Sequence, residues 1–148
     1  MKADGVFEGG GVREMACIGA VKALEEENVE WERLAGTSAG AIVAALLASG
    51  YSSNEIKDEL DTLDFSKLKG RTILNRIPLF GLLLELLVHN GMYKNDYLEK
   101  WLDSLLLKKG IETFADVPEG KLKIIASDIT DGLMLVLPDD LERYGMTH

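Results

Sequence analysis

Residues Gly36-Thr37-Ser38-Ala39-Gly40 read Gly-x-Ser-x-Gly and stand between two segments of opposite character. Glu32-Arg33-Leu34-Ala35 before them reads as a short strand, and Ala41-Ile42-Val43-Ala44-Ala45-Leu46-Leu47-Ala48 after them as an apolar helix. A strand that turns this abruptly into a helix crowds its own backbone, and glycine is the residue that leaves room. A serine at the apex of such a turn, here Ser38, has its hydroxyl held away from the chain. The helix that follows aims unpaired N–H groups and a positive dipole end at it. A Ser-Gly turn that merely caps a helix fits the same five residues, because short motifs also arise by chance.

A second glycine element narrows the choice. Asp4-Gly5-Val6-Phe7-Glu8 reads as an opening strand, and Gly9-Gly10-Gly11-Val12-Arg13 follows at once. A helical pattern then begins, with Met15, Ile18, Val21 and Leu24 spaced by three. Glycines between a strand and a helix can present several backbone N–H groups in one concave, anion-binding patch. In a serine hydrolase that patch is the oxyanion hole, its donors aimed where charge develops on the attacked carbonyl. A flexible turn is the plainer alternative, although three consecutive glycines lose much backbone entropy on ordering.

The run Gly9 to Arg13, followed 27 positions later by Gly36 to Gly40, resembles the patatin-like phospholipases, in particular their small bacterial members. The resemblance extends over the chain and includes Val117-Pro118-Glu119-Gly120 and Ile124-Ile125-Ala126-Ser127-Asp128. It implies an α/β fold, a three-layer α/β/α sandwich on a mostly parallel central sheet, and hydrolysis of lipid acyl esters. It implies Ser38 as nucleophile in an elbow built from Gly36, Thr37, Ala39 and Gly40, and an oxyanion hole from Gly9, Gly10, Gly11, Val12 and Arg13. It also implies a Ser-Asp dyad without a catalytic histidine, needing neither cofactor nor metal.

Two departures from the family pattern matter. The family's glycine motif usually continues Gly-Gly-Gly-x-Arg-Gly, whereas Glu14 stands in the last place here. A carboxylate near an oxyanion hole opposes the charge being stabilised unless Arg13 or solvent neutralises it. The family's aspartate, moreover, sits in an Asp-Gly-Gly or Asp-Gly-Ala motif well downstream of the serine. Here Asp131-Gly132 is followed by Leu133 and separates the apolar runs 123–129 and 133–137, the pattern of a hairpin turn. No catalytic role is carried onto Asp131. The sequence is therefore expected to represent the N-terminal part of a patatin-like domain over residues 1–148, incomplete at the C-terminus and with an apolar sheet edge or face left open.

Charge and composition exclude some partners. The chain has 25 acidic and 16 basic residues, a net charge of −9, which disfavours nucleic acid, whose binding depends on phosphate neutralisation. It equally disfavours purely electrostatic attachment to anionic membranes. The start, Met1-Lys2-Ala3-Asp4, runs straight into a strand without an apolar leader, so a cytoplasmic location is the expectation. Cys17, the single cysteine, can form no internal disulfide and reads as packing on the first helix. His89 and His148 are the two histidines; neither makes a metal site, and a triad through the terminal His148 would need strict geometry from an end residue.

Ser52 and Glu55 form a capping box opening a helix towards Leu63, and a further helix runs from Asn95 or Asp96 to Lys109, stopped by Gly110. In that helix Tyr97, Leu98, Trp101, Leu102 and Leu105 share one face. A basic stretch, Phe65 to Arg76, precedes the apolar run 77–88, which is too short to cross a bilayer. A core helix is the simpler reading of that run; a lipid-facing flap in peripheral contact with a membrane is the other. Three functions stay open. The chain is a lipid acyl hydrolase acting on a lipid or acyl-ester substrate, a catalytically inactive relative serving as a binding module, or a dinucleotide-binding domain on Gly9-x-Gly11. The last lacks the third glycine, places Glu14 against a pyrophosphate, and has Glu30 and Glu32 at the wrong end of a strand.

Glu14 gives the first prediction. In Glu14→Gly, a fluorophosphonate probe should acylate the serine faster than in the parent, with the gain shrinking as salt rises. An unchanged rate in a folded variant places the carboxylate away from the site.

Overall fold

The computed structural model describes residues 1–10, 13–63 and 96–146, without the side chains of residues 13–15 and 96. The expectations resting on Gly11, Val12, the side chains of Arg13 and Glu14, residues 65–76 and 77–88, His89 and His148 lie outside these residues.

The elements follow as β1 (Lys2–Phe7), α1 (Arg13–Glu26), β2 (Glu30–Thr37), α2 (Ala39–Ala48), α3 (Ser53–Thr62), α4 (Asp96–Lys108), β3 (Leu122–Asp128) and β4 (Leu133–Leu137). One-turn 3-10 helices stand at Phe114–Asp116 and Leu141–Tyr144. The four strands form one sheet in the order β1-β2-β3-β4. The first three are parallel, and β4 returns antiparallel along β3. The class is α/β on a mostly parallel sheet, as the sequence implies.

The strand order dictates where the helices go. Crossovers between parallel strands are right-handed, so strands laid down in the sequence β1, β2, β3 send both crossovers to the same face. On that face the register partners Gly5 and Leu34, and Phe7, Gly36 and Ile124, look into a single core. Ile18 and Val21 of α1, Val43 and Leu46 of α2, Ile56 of α3 and Leu105 of α4 all join it. α2 is sunk deepest, with six of its ten residues buried, which explains its almost uninterrupted apolar sequence. On the opposite face Val6 is 83% exposed, with Ala35 and Lys123 beside it in register. Among the described residues this second face carries no helix.

A local signal opens α3. Ser52 accepts from the Glu55 N–H at 3.3 Å while the Glu55 carboxylate accepts from the Ser52 N–H at 2.7 Å, a complete capping box. Those bonds and Lys109 hold the Glu55 carboxyl down at about 2. Across the core, Glu25 of α1 accepts from the buried Ser53, at 3.1 Å from its N–H and 2.5 Å from its hydroxyl, tying α1 to the start of α3. α4 is fastened to α3 by Lys108–Glu59 at 2.8 Å and Lys109–Glu55 at 3.1 Å. The buried Tyr51 hydroxyl donates to the Leu105 carbonyl at 2.8 Å.

Several expected boundaries shift. β1 begins at Lys2 rather than Asp4, and β2 runs from Glu30 rather than Glu32, because pairing between neighbouring strands extends both. Leu24, expected on the buried stripe of α1, is 41% exposed. α1 meets the core through Ile18 and Val21 and then turns Glu25 toward Ser53, which leaves Leu24 outside.

Two glycines give opposite expectations. A Cβ on Gly36 would lie 2.3 Å from the Gly40 carbonyl oxygen, whereas one on Gly19, exposed within α1, meets nothing within 4 Å. Gly36→Ala should lose about 3 kcal/mol or more, at the top of the ordinary overpacking range. Gly19→Ala should gain about 1 kcal/mol from helix propensity. Urea denaturation of both variants checks the pair.

Candidate active site

The C-terminal ends of the parallel strands are where a ligand meets an open α/β sheet, because the following loops and helix N-termini gather there. At this end β2 passes through Thr37 into Ser38, and α2 starts at Ala39. Ser38 has φ 53° and ψ −128°, a left-handed conformation that costs a non-glycine residue about 1–3 kcal/mol. Its side chain is exposed and accepts no capping hydrogen bond. Ser52 shows what an ordinary serine cap looks like in the same molecule: extended backbone at φ −79° and ψ 162°, with its hydroxyl bound to the helix. Ser38 is not such a cap.

Close approaches of backbone hold this turn. A Cβ on Gly40 would fall 2.4 Å from the Phe7 carbonyl oxygen and 2.6 Å from that of Glu8, so the end of β1 crosses directly over the start of α2. The chain leaving that crossing runs beside Ser38: a Cβ on Gly9 would sit 2.7 Å from Ser38 Cβ and 3.3 Å from its Oγ. Gly36, Thr37, Ala39 and Gly40 therefore flank Ser38 in the turn, and Gly9, two residues past β1 and followed by Gly10, lies against it. Gly9, which opens the first glycine element, and Ser38 of the second are thus adjacent in space although 29 positions apart in the chain.

Asp128 ends β3, the neighbour of β2, at the same edge of the sheet. Its carboxylate is fully engaged, accepting from the Thr130 N–H at 2.8 Å, from the Asp131 N–H at 3.1 Å, and from the Tyr144 hydroxyl. These bonds, the tyrosine foremost, hold it below the usual carboxylate range and hence make it a weak base. Asp131 lies in the exposed turn that joins β3 to β4, with Gly132 at φ 66°, which is the hairpin expected from the sequence. Tyr144 went unrecognised because it lies 16 residues from its partner with no local pattern linking them. Among the described residues no histidine or carboxylate hydrogen-bonds Ser38 Oγ, and no helix is long and apolar enough to cross a membrane.

Two other features fall away from this edge. A shallow concavity of about 630 Å³, bordered by Lys2, Trp31, Arg33 and Lys121, lies at the opposite, N-terminal ends of the strands. Glu30, which opens β2, lies at that far end too, so neither it nor Glu32 can reach a ligand seated on the glycine turn.

A family model described as patatin-like phospholipase matches residues 5–144. The chain is 48% identical over 147 residues to the uncharacterized protein YqhO of Bacillus subtilis (strain 168), covering 99% of this chain and 50% of that protein. It therefore spans about half the length of the curated relative it matches. In fold it is similar to the type III effector protein ExoU, with a TM-score of 0.58 at 23% identity over 96% of this chain and 37% of the other. A chain of the full-length SpcU–ExoU complex from the type III secretion system of Pseudomonas aeruginosa gives a TM-score of 0.58 at 25% identity, over 90% and 34% of the respective chains.

The Asp128–Tyr144 contact supplies the prediction. Tyr144→Phe should move the Asp128 carboxyl up toward its ordinary value, because the largest cause of its depression is removed. A carboxyl-detected NMR titration of both proteins measures the shift; an unmoved titration breaks the account.

Proposed function

The chain belongs to the patatin-like phospholipase family, and from that premise we propose that it is a lipid acyl hydrolase working through Ser38. The observation that carries this reading is the left-handed, uncapped Ser38 with Gly9 against its hydroxyl. A serine kept in a strained backbone, with its Oγ exposed and uncommitted, is poised to attack.

In the proposed mechanism Ser38 Oγ adds to the ester carbonyl carbon as its proton passes to a general base. The carbonyl electron pair moves onto oxygen, and that oxyanion is held by the N–H groups of Gly10, Gly11 and Val12, with Arg13 steadying the loop. One such donor is typically worth about 3 kcal/mol of barrier. Collapse expels the alcohol, which takes up the proton, and leaves an acyl-enzyme that water cleaves by the same route. The base is a carboxylate of a Ser-Asp dyad, supplied from outside the described residues, since Asp128 is already committed to its turn.

That commitment also favours a second reading, in which the chain binds acyl groups without turning them over. A peripheral encounter with lipid is part of either reading.

Ser38→Ala should abolish fluorophosphonate labelling and lower p-nitrophenyl ester turnover by on the order of a thousandfold or more. Its stability should stay within about 1 kcal/mol of the parent, the site being exposed. Turnover at the parent rate in the variant sinks the assignment. Labelling without turnover in the parent selects the binding reading.

A further inference from the structure

We propose that the β3–β4 hairpin is a lipid-contact wedge that seats the Ser38 edge of the sheet on a zwitterionic bilayer surface; this rests on the acyl-hydrolase reading. The placement comes from the register. Thr37 pairs with Ile125 in parallel, so Ser38 is level with Ala126, and Ile129 lies three residues beyond. At about 3.3 Å per residue the turn stands about 10 Å proud of the serine. An ester held in a bilayer has to meet Ser38 at this same edge.

The wedge is apolar where it projects. Ile129 is 83% exposed, Met134 68% and Leu133 39%. Tyr144, tied to the hairpin through Asp128, is 40% exposed and Met146 51%. Of nine large exposed hydrophobic residues among those described, five fall between positions 129 and 146. Leu133 and Met134 are successive strand residues and therefore point to opposite faces of the ribbon. Apolar side chains on both faces of a ribbon can enter a fluid lipid phase at once, which favours lipid as the occupant.

The polar groups of the turn are also prepared for partial desolvation. The Asp128 carboxylate takes the N–H groups of Thr130 and Asp131 and the hydroxyl of Tyr144, so these donors do not lose a water partner at the interface. Lys123 and Arg143 are paired with Asp139 and Asp140 behind the tip. Asp131 leaves a negative charge at the tip of a chain whose net charge is −9, which repels anionic headgroups and selects neutral ones.

The test is flotation of the full chain with phosphatidylcholine vesicles. Partitioning should fall on the order of tenfold in Ile129→Ser/Met134→Ser, from the apolar area withdrawn from lipid. Leu107→Ser, an equally ordinary surface change on α4, should leave it unaltered, and adding phosphatidylserine should weaken the parent. Labelling of Ser38 by a water-soluble fluorophosphonate should proceed at the parent rate in the hairpin variant. The proposal is overturned if the parent does not float, if the hairpin variant floats like the parent, if Leu107→Ser loses as much, or if phosphatidylserine strengthens binding. Failure of Ser38 to label while the hairpin effect stands overturns the hydrolase reading and leaves the lipid contact.

Discussion

Two strands and a helix meet at α2 with no side chain between them, and the rest of the arrangement depends on that contact. Gly36 and Gly40 are where β2 turns back into the helix and where β1 passes over it. A methyl group at either position would sit well inside van der Waals contact distance of a backbone oxygen, and backbone cannot move aside as a side chain can. The crossing fixes the direction of α2, whose buried face organises the core, and it aligns the exit of β1 with the turn at Ser38. The strain at Ser38 is held by the same packing, since β2 and α2 on either side are anchored by burial of Leu34, Val43, Ala44 and Leu46.

The order of the strands then sets what is covered. Right-handed crossovers along β1-β2-β3 bring α1, α2, α3 and α4 into one core on one side. The other side keeps Val6 exposed, and the far edge of the sheet is finished by an antiparallel hairpin. The Ser38 turn and the β3–β4 hairpin share one end of the sheet, placed there by one register.

Charge is distributed to the same effect. Most ion pairs are exposed, such as Arg33–Asp4 and Lys57–Asp61, and such pairs contribute little to stability. Asp128 differs because its partners are backbone N–H groups and a hydroxyl rather than a cation, which ties the turn together and holds the carboxyl below its usual range. A nearby acid is thus spent on structure.

What the sequence determined by itself was whatever a few neighbouring residues decide. The capping box at Ser52 and Glu55, the stop at Gly110 with φ 75°, and the Asp131-Gly132 turn depend on local hydrogen bonds and on φ values that glycine adopts freely. The strand-turn-helix around Ser38 belongs to the same class, because its glycine spacing and apolar helix state the crowding directly. Tertiary structure decided the rest. That Gly9 lies against Ser38, that Leu24 faces solvent while Glu25 reaches Ser53, and that Tyr144 claims Asp128 each require segments far apart in the chain to be brought together. No local pattern encodes such meetings, since they follow from strand register and the handedness of the crossovers, which exist only once the sheet has formed.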